Sequence, residues 1–185
     1  WGEDVIKILT RRFPRTFWLA VYASFITMFI GIPMGILAAI NHNTIWDNAI
    51  MVICTSFLSI PIFVFALNLM FIFAVRLGWF PVVGEYVSPF KDLIGSIKGL
   101  FLPALSISTM SLAYLARVTR SAMLEIMNKD FIRTARAKGL KEKIVIFKHM
   151  LKPASITIIS SLGLIFAGLL GGTIISETVF VVPGI

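Results

Sequence analysis

The chain of 185 residues is too apolar for a water-soluble domain, because 58% of its residues are hydrophobic and only 14% are charged. Soluble domains carry about a quarter charged residues, so the mean hydropathy of +0.93 indicates a membrane protein. The formal net charge is +8, and most of it falls in residues 117–152, which hold ten Lys or Arg against three acids. The single Cys54 excludes a disulfide bond within the chain.

Four apolar segments predict transmembrane helices, since about 20 apolar residues cross about 30 Å of hydrocarbon as a helix. Three of them lack any charged residue over more than 20 positions, and the third in chain order is shorter. The predicted spans are 17–40, 49–75, 99–116 and 153–175. The expected fold is therefore all-α, a polytopic helical bundle in the membrane.

The distribution of positive charge orients these spans. Cytoplasmic connections carry an excess of Lys and Arg, which places residues 117–152 inside the cell, 41–48 inside, and 76–100 and 1–16 outside. Four cations on the predicted outer side oppose this topology: Lys7, Arg11, Arg12 and Arg15. The ten cations of 117–152 outweigh them, so the orientation stands.

Small residues and prolines inside the spans predict how the helices pack. Gly31 with Gly35, and Gly168 with Gly172, are GxxxG pairs, which let two helix backbones approach closely in lipid. Pro61 lies within the second span, where its missing N–H favours a kink.

Uncharged polar residues also lie within the spans: Thr55, Ser56, Ser59, Asn68, Ser160 and Ser161. They fit either hydrogen bonding between helices or the lining of a transport pathway. Both interpretations remain open from the sequence.

The most basic stretch, "DFIRTARAKGLKEKIVIFKHMLKPA" at 130–154, predicts a helix, a glycine break and a second helix that re-enters the membrane. Asp130 is the expected N-cap and Gly139 the expected residue after the C-cap. Lipid binding, nucleic-acid binding and protein docking compete as its role. Small residues at Ala135, Ala137 and Gly139 favour protein docking, because a helix with little side-chain bulk fits deep into a partner's groove.

Within this stretch, "DFIRTARAKG" followed by "HMLKPA" resembles the cytoplasmic loop of binding-protein-dependent ABC importer permeases, in particular the oligopeptide, dipeptide and nickel branch. Arg133, Thr134 and Ala135 occupy the position of that family's "EAA", and Gly139 that of its glycine. The stretches "GIPMGILAA", "ARVTRSAMLEIM" and "SETVFVVPGI" agree with the same family.

The resemblance implies a type I ABC importer permease, a single transmembrane domain over 1–185 that is expected to be shorter at both ends than its relatives. Its coupling loop, 117–152, would dock a short coupling helix into a cytoplasmic ATPase. The implied docking residues are Asp130, Phe131, Arg133, Thr134, Ala135, Arg136, Ala137, Lys138 and Gly139.

Further partners follow from the same resemblance. They are a second permease subunit, identical or different, an external substrate-binding protein and the lipid bilayer of a bacterial or archaeal cytoplasmic membrane. The implied cargo is a di- or oligopeptide, and nickel or a metal–chelator complex is the alternative within the family. ATP and Mg would be bound by the ATPase, and no cofactor is expected in this chain.

Other chemistry has little support in the sequence. A Walker-type phosphate loop is absent, so ATP binding by that route is excluded. His42 and His149 do not have the spacing of a shared metal site, and no catalytic set indicates an enzyme. Nucleic acid is not an expected partner. A stand-alone channel or secondary carrier remains an alternative, although the secure spans lack the ionisable group that proton coupling usually needs.

Glu177 is the one acid near the end of the last span, within "SETVFVVPGI". It is either a helix-end carboxylate that faces water or, together with Pro183 and Gly184, part of an external gate.

Overall fold

The computed structural model describes residues 5–84, 86–172 and 174–184. These residues form helices and connecting turns, without a β-strand among them. The helices are α1 (Val5–Ile40), α2 (Ile45–Ser59), α3 (Ile62–Leu69, continued by a π-helical segment Met70–Arg76), α4 (Leu93–Met127), α5 (Asp130–Ala137), α6 (Glu142–Ile144, continued by a π-helical segment Val145–Met150), α7 (Leu151–Gly172) and α8 (Ile174–Val179).

Among the described residues, three continuous helices are long and apolar enough to cross a membrane, namely Ile6–Ile40, Leu93–Met127 and Glu142–Gly171. The bent pair of α2 and α3 is long and apolar enough only when the two helices are taken together as one span. The helices extend beyond the predicted spans, so the beginning of the predicted loop 117–152 is helix as well. Hydropathy predicts only the stretch of a helix that lies in hydrocarbon. The helix itself continues beyond that stretch into water, where its residues are polar.

The centre of the bundle is the crossing of α1 and α4, where glycines of α1 lie against the α4 backbone. A Cβ atom at Gly35 would stand 2.5 Å from the Ala116 carbonyl oxygen and from Thr119 Cβ. A Cβ at Gly31 would be 3.2 Å from the Leu112 carbonyl oxygen. This GxxxG pair therefore lies where two helices approach too closely for a larger side chain.

The second predicted span is not one straight helix. α2 ends at Ser59, Pro61 begins the next segment, and the two helices meet at 99°. The kink expected from Pro61 is thus a sharp break, because proline lacks the N–H that would continue the helix and disfavours helical backbone in the residue before it.

Side-chain and backbone contacts define two ends of the bundle. The α5 end comprises residues 41–47 and 117–144, which Arg120 and Asp47 join directly. The α8 end comprises 5–16, 77–84, 86–95 and 174–184, where the Gly84 N–H donates to the Phe180 carbonyl. The segments predicted to share a membrane side do lie together, including the cations that precede the first span.

Gly168 of the second predicted GxxxG pair does not pack against another described helix. Apart from its chain neighbours and its own helix backbone, no described heavy atom lies within 4 Å of a Cβ at Gly168, and Gly172 lies outside the described side chains. Large side chains on the same helix are also exposed, with 72% of Ile156 and of Leu164 accessible. This surface of α7 therefore faces lipid or another chain.

Candidate functional site: the α5 surface and two buried carboxylates

α5 is a short amphipathic helix held on the bundle by its apolar side. Ile132 is fully buried and Ala135 is 6% exposed. Both belong to the main core, together with Val145 and Met150 of the segment that follows. The packing fixes α5 on the end of the bundle and leaves its cationic side accessible.

The structure places eight of the nine predicted docking residues at the surface and one inside. The exposed residues are Asp130, Phe131, Arg133, Thr134, Arg136, Ala137, Lys138 and Gly139. Ala135 is buried against the chain's own core and also lines the groove beside α5, so its docking role stays a prediction. Residues at alternate positions of a helix point in different directions, so Ala135 and Ala137 cannot form one small-residue face.

The end of α5 is set by Gly139, whose φ of +75° is left-handed. The Gly139 N–H donates to the Arg136 carbonyl at 2.9 Å, and the Leu140 N–H donates to the Ala135 carbonyl at 3.4 Å. These two bonds form a Schellman motif, which satisfies carbonyls at the helix end. Gly139 therefore lies where it was predicted, directly after the C-cap Lys138.

The start of α5 differs by one residue from the prediction. Lys129 is the N-cap and makes no side-chain capping bond, while Asp130 is the first helical residue. The Asp130 carboxylate is 3.9 Å from the Arg133 guanidinium. A negative charge in the first helical turn still stabilises the helix dipole.

A groove of about 330 Å³ runs beside α5, lined by Phe131, Thr134, Ala135, Lys138, Leu140 and His149. The four α5 residues recur at the spacing of one helix face. Beyond the groove, Arg136 and Glu142 form an exposed ion pair at 2.6 Å that links α5 to α6. The surface thus offers a partner an apolar cleft rimmed by positive charge.

An ion pair that the sequence analysis did not predict lies next to this surface. Arg120 of α4 donates from Nε to Asp47 Oδ1 at 2.6 Å and from Nη2 to Asp47 Oδ2 at 2.7 Å. Asp47 is 1% exposed and the Arg120 side chain 24%. The Asn43 N–H also donates to Asp47 Oδ2 at 3.1 Å, and Arg120 Nη2 lies 3.1 Å from His42 Nδ1.

The sequence carried a weak signal for this pair. Asp47 is the one acid in the short inner connection 41–48, and Arg120 follows the predicted third span on the same side. A pairing across 73 positions, however, depends on how α2 and α4 pack, which no sequence pattern used above specifies.

Glu177 is buried at the α8 end and not exposed to water, being 5% accessible. Thr16 Oγ1 of α1 donates to Glu177 Oε1 at 2.6 Å. A Cβ added at Gly184 would collide with the Glu177 carboxylate. The three residues predicted as an external gate, Glu177, Pro183 and Gly184, therefore share one compact turn packed on α1.

Arginines of α1 complete this arrangement. Arg15 Nη1 donates to the Pro183 carbonyl at 2.9 Å, and Arg12 Nη1 donates to the Gly184 carbonyl at 3.3 Å. These are two of the cations that opposed the predicted topology. Their bonds to the terminal turn give them a structural role outside the hydrocarbon that the charge count did not reveal.

The polar residues of α2 point away from the bundle. Thr55, Ser56 and Ser59 are exposed, and each hydroxyl donates to the carbonyl four residues earlier in α2. With Asn48 and three apolar neighbours they line an open groove of about 650 Å³. Since their bonds stay within α2, the structure does not use these hydroxyls to join described helices.

The described residues contain no cluster of three His, Cys, Asp or Glu side chains that would hold a metal ion. His42 and His149 lie in separate settings, one beside Arg120 and the other beside the α5 groove.

Comparisons with known proteins show which protein family this chain is similar to. Residues 31–185 match the family model described as binding-protein-dependent transport system inner membrane component. The oligopeptide transport system permease protein AppB of Bacillus subtilis (strain 168) is 38% identical over 185 residues, which cover 100% of this chain and 58% of AppB. The oligopeptide transport system permease protein OppB of Escherichia coli (strain K12) is 36% identical over 182 residues, 98% of this chain and 57% of OppB.

A Brucella abortus (strain 2308) protein named for a peptide transport system permease is 39% identical over 185 residues, 100% of this chain and 58% of that protein. The chain thus spans less than three fifths of the length of the curated relatives that it matches.

Proposed function

Because the chain belongs to the family of binding-protein-dependent transport system inner membrane components, we propose that it is a permease subunit of an ATP-driven importer. It forms part of the translocation pathway for di- or oligopeptides that an external binding protein delivers. The setting is the cytoplasmic membrane of a bacterium or archaeon. The family is one of membrane transport components rather than enzymes, and the described helices are those of a multi-pass membrane protein.

The observation that carries this proposal is the geometry of α5. Its apolar residues are anchored in the main core, and its exposed side combines Arg133, Arg136 and Lys138 with the small Ala137. Phe131 is the large apolar side chain that α5 leaves exposed, at 47%, whereas a helix that served only to bind lipid would present a whole apolar face to the membrane. The exposed side of α5 instead suits docking to a folded protein with an acidic rim.

The partner at this surface is a cytoplasmic ATPase, which holds ATP and Mg and supplies the energy. A second permease subunit completes the pathway, and the exposed polar side of α2 contributes part of its lining. Each of these hydroxyls already donates within α2, so in a wet pathway its remaining lone pairs accept hydrogen bonds from peptide N–H groups. The open glycine surface of α7 offers further contact area to a neighbouring chain.

Peptides are the cargo that the comparisons favour. AppB and OppB, like the Brucella relative, are named for peptide or oligopeptide transport. The α2 groove supports the same conclusion, because its uncharged hydroxyls provide the hydrogen-bonding groups that peptide backbones need without selecting one side chain. Selection would then fall mainly to the external binding protein.

The decisive experiment is a disulfide crosslink between α5 and the ATPase. Single cysteines are introduced at Ala137 and at Thr134, in full-length permease with Cys54→Ala, and paired with cysteines along the membrane-facing cleft of the ATPase. We expect crosslinks at both positions whose yield changes when ATP is added, because both residues are exposed on α5.

A matched control is a cysteine at Trp79, which is 64% exposed at the α8 end. It should not crosslink to the ATPase. Peptide uptake that persists in proteoliposomes without the ATPase, or the absence of any α5 crosslink while the ATPase is folded and bound, contradicts the proposal. The channel or secondary-carrier alternative would then be supported.

A further inference from the structure

The Asp47–Arg120 pair joins the two parts of the chain that the proposed transport cycle must move together. Arg120 lies near the end of α4, which leads through Asn128 and Lys129 into α5. Asp47 lies in the first turn of α2, the helix whose exposed side carries Thr55, Ser56 and Ser59. The Asp47–Arg120 ion pair therefore links the helix that leads into α5 directly to the helix that carries the polar groove.

We propose that Asp47 and Arg120 are positioning residues that transmit the movement of α4 and α5 to α2 during transport. The inference rests on the proposed function, in which ATPase closure acts on α5. Neither residue touches the cargo in this assignment. Their role is to keep α2 in register with α4 while the bundle tilts.

The rest of the α2–α4 interface is apolar. Cys54, Ala113 and Ala116 form its buried core, and the partly buried Met34, Ile50, Met51, Phe57 and Leu58 pack around them. Apolar contact is non-directional, so it does not by itself set the direction of one helix against the other. A bidentate arginine–carboxylate pair differs because two parallel N–H···O bonds fix both distance and direction.

The same carboxylate also holds the connection between α1 and α2. The Asn43 N–H donates to Asp47 Oδ2 from a residue with a left-handed φ of 61°. The Arg120 guanidinium additionally contacts His42 Nδ1 at 3.1 Å. Asp47 therefore ties the 41–44 turn, the start of α2 and the end of α4 into one unit.

The test measures peptide transported per ATP hydrolysed, in proteoliposomes that hold the full-length permease with its partner permease, ATPase and binding protein. The variants are Asp47→Asn, Arg120→Gln and the conservative Arg120→Lys. For Asp47→Asn and Arg120→Gln we expect at least a ten-fold fall in this ratio, with ATP hydrolysis within about three-fold of wild type. Arg120→Lys keeps the charge but loses the fork, so we expect an intermediate ratio.

A neighbouring ion pair provides the matched control. Lys129 and Glu125 lie 3.9 Å apart at the same end, with exposed fractions of 52% and 75% for their side chains. Glu125→Gln removes a charge of the same sign as Asp47→Asn from an exposed setting. It should leave the ratio unchanged.

A second readout follows the movement itself. Spin labels at Ile45 of α2 and Ser121 of α4, both exposed, report the distance between the two helices in full-length permease with Cys54→Ala. In the wild-type complex the distance should stay constant when an ATP transition-state analogue closes the ATPase. In Asp47→Asn it should change, because α4 moves without α2.

The results distinguish failure of the positioning role from failure of the proposed function. If Asp47→Asn and Arg120→Gln retain the wild-type ratio, or lose transport and ATP hydrolysis in equal proportion, the positioning role is wrong. A constant label distance in Asp47→Asn during closure also overturns it. Failure of the proposed function looks different, since the wild-type complex would then show no ATP-dependent uptake and no α5 crosslink.

Discussion

Among the described residues, each end of the bundle buries one carboxylate, and the two are held by different chemistry. Asp47 at the α5 end is 1% exposed and accepts two bonds from the Arg120 guanidinium. Glu177 at the α8 end is 5% exposed and accepts from the Thr16 hydroxyl. An arginine fork resists separation, whereas water can replace a hydroxyl donor. The comparison indicates a fixed joint at the end of the bundle that carries α5, the proposed docking helix, and a releasable contact at the opposite end.

Among the variants that test this comparison, Arg120→Ala is expected to have the largest effect on stability. The variant leaves Asp47 buried without its counter-charge, which typically costs about 3–5 kcal/mol of stability. The thermal unfolding temperature of the purified full-length variant in detergent should therefore lie far below that of the wild type. An unchanged unfolding temperature would mean that water reaches Asp47 freely and that the fork is not a rigid joint.

Gly184→Ala should have the next largest effect, at the α8 end. Its Cβ would collide with the Glu177 carboxylate, and moving that group breaks its bond to Thr16. Overpacking of this kind costs about 1–3 kcal/mol, measured by the same unfolding assay. Gly168→Ala is the control, because open space surrounds its Cβ position among the described residues. Equal stability of the two variants would contradict the close packing of the terminal turn.

Glu177→Gln sharpens the comparison by removing charge while keeping an acceptor for Thr16. Since a neutral acceptor forms a weaker bond, we expect a loss of about 1 kcal/mol, clearly less than for Asp47→Asn. Transport should remain coupled to ATP hydrolysis, with an altered rate of uptake. If Glu177→Gln uncouples the two as strongly as Asp47→Asn, the two ends do not differ in the way proposed.

The smallest effect is expected for Glu142→Gln, which removes the exposed partner of Arg136. Exposed ion pairs contribute about 0–1 kcal/mol, so unfolding should hardly change. High salt should have little effect on the unfolding of this variant. It should also abolish the small remaining difference in unfolding between the variant and the wild type, because salt screens exposed ion pairs. A loss above about 1 kcal/mol would mean that the α5–α6 connection is more rigid than its exposure indicates.

Three of the apolar runs could be recognised from the sequence because each exceeds the length that crosses hydrocarbon, whereas the run within α4 is shorter. Gly139 was also predictable, since a left-handed residue at a helix end favours glycine. The extension of α4 to Met127 was missed because Arg117, Arg120 and Glu125 interrupt the apolar run while the helix continues. The burial of Ala135 depends on how α5 packs on the bundle.

The pairs that link distant segments could not be predicted in the same way. Arg120 with Asp47, and Thr16 with Glu177, lie far apart in the chain and meet only through the packing of the helices. In the sequence analysis Arg12 and Arg15 were considered only as charges that bear on membrane topology. In the structure their guanidinium groups donate to the carbonyls of Gly184 and Pro183. Periodicity predicts which face of a helix is apolar, but not which side chain of another helix it meets.

The 99° break between α2 and α3 has a consequence for hydration inside the membrane. The last carbonyls of α2 have no following helical N–H, and Pro61 cannot supply one. Bare carbonyls in hydrocarbon cost several kcal/mol each, so this elbow must stay wet or be capped by another chain. Backbone amides just after it, from Ile62 onward, should then exchange with deuterated water faster than those in the middle of α4. Amide exchange along α2 and α3 would thereby show whether water reaches the prolyl elbow.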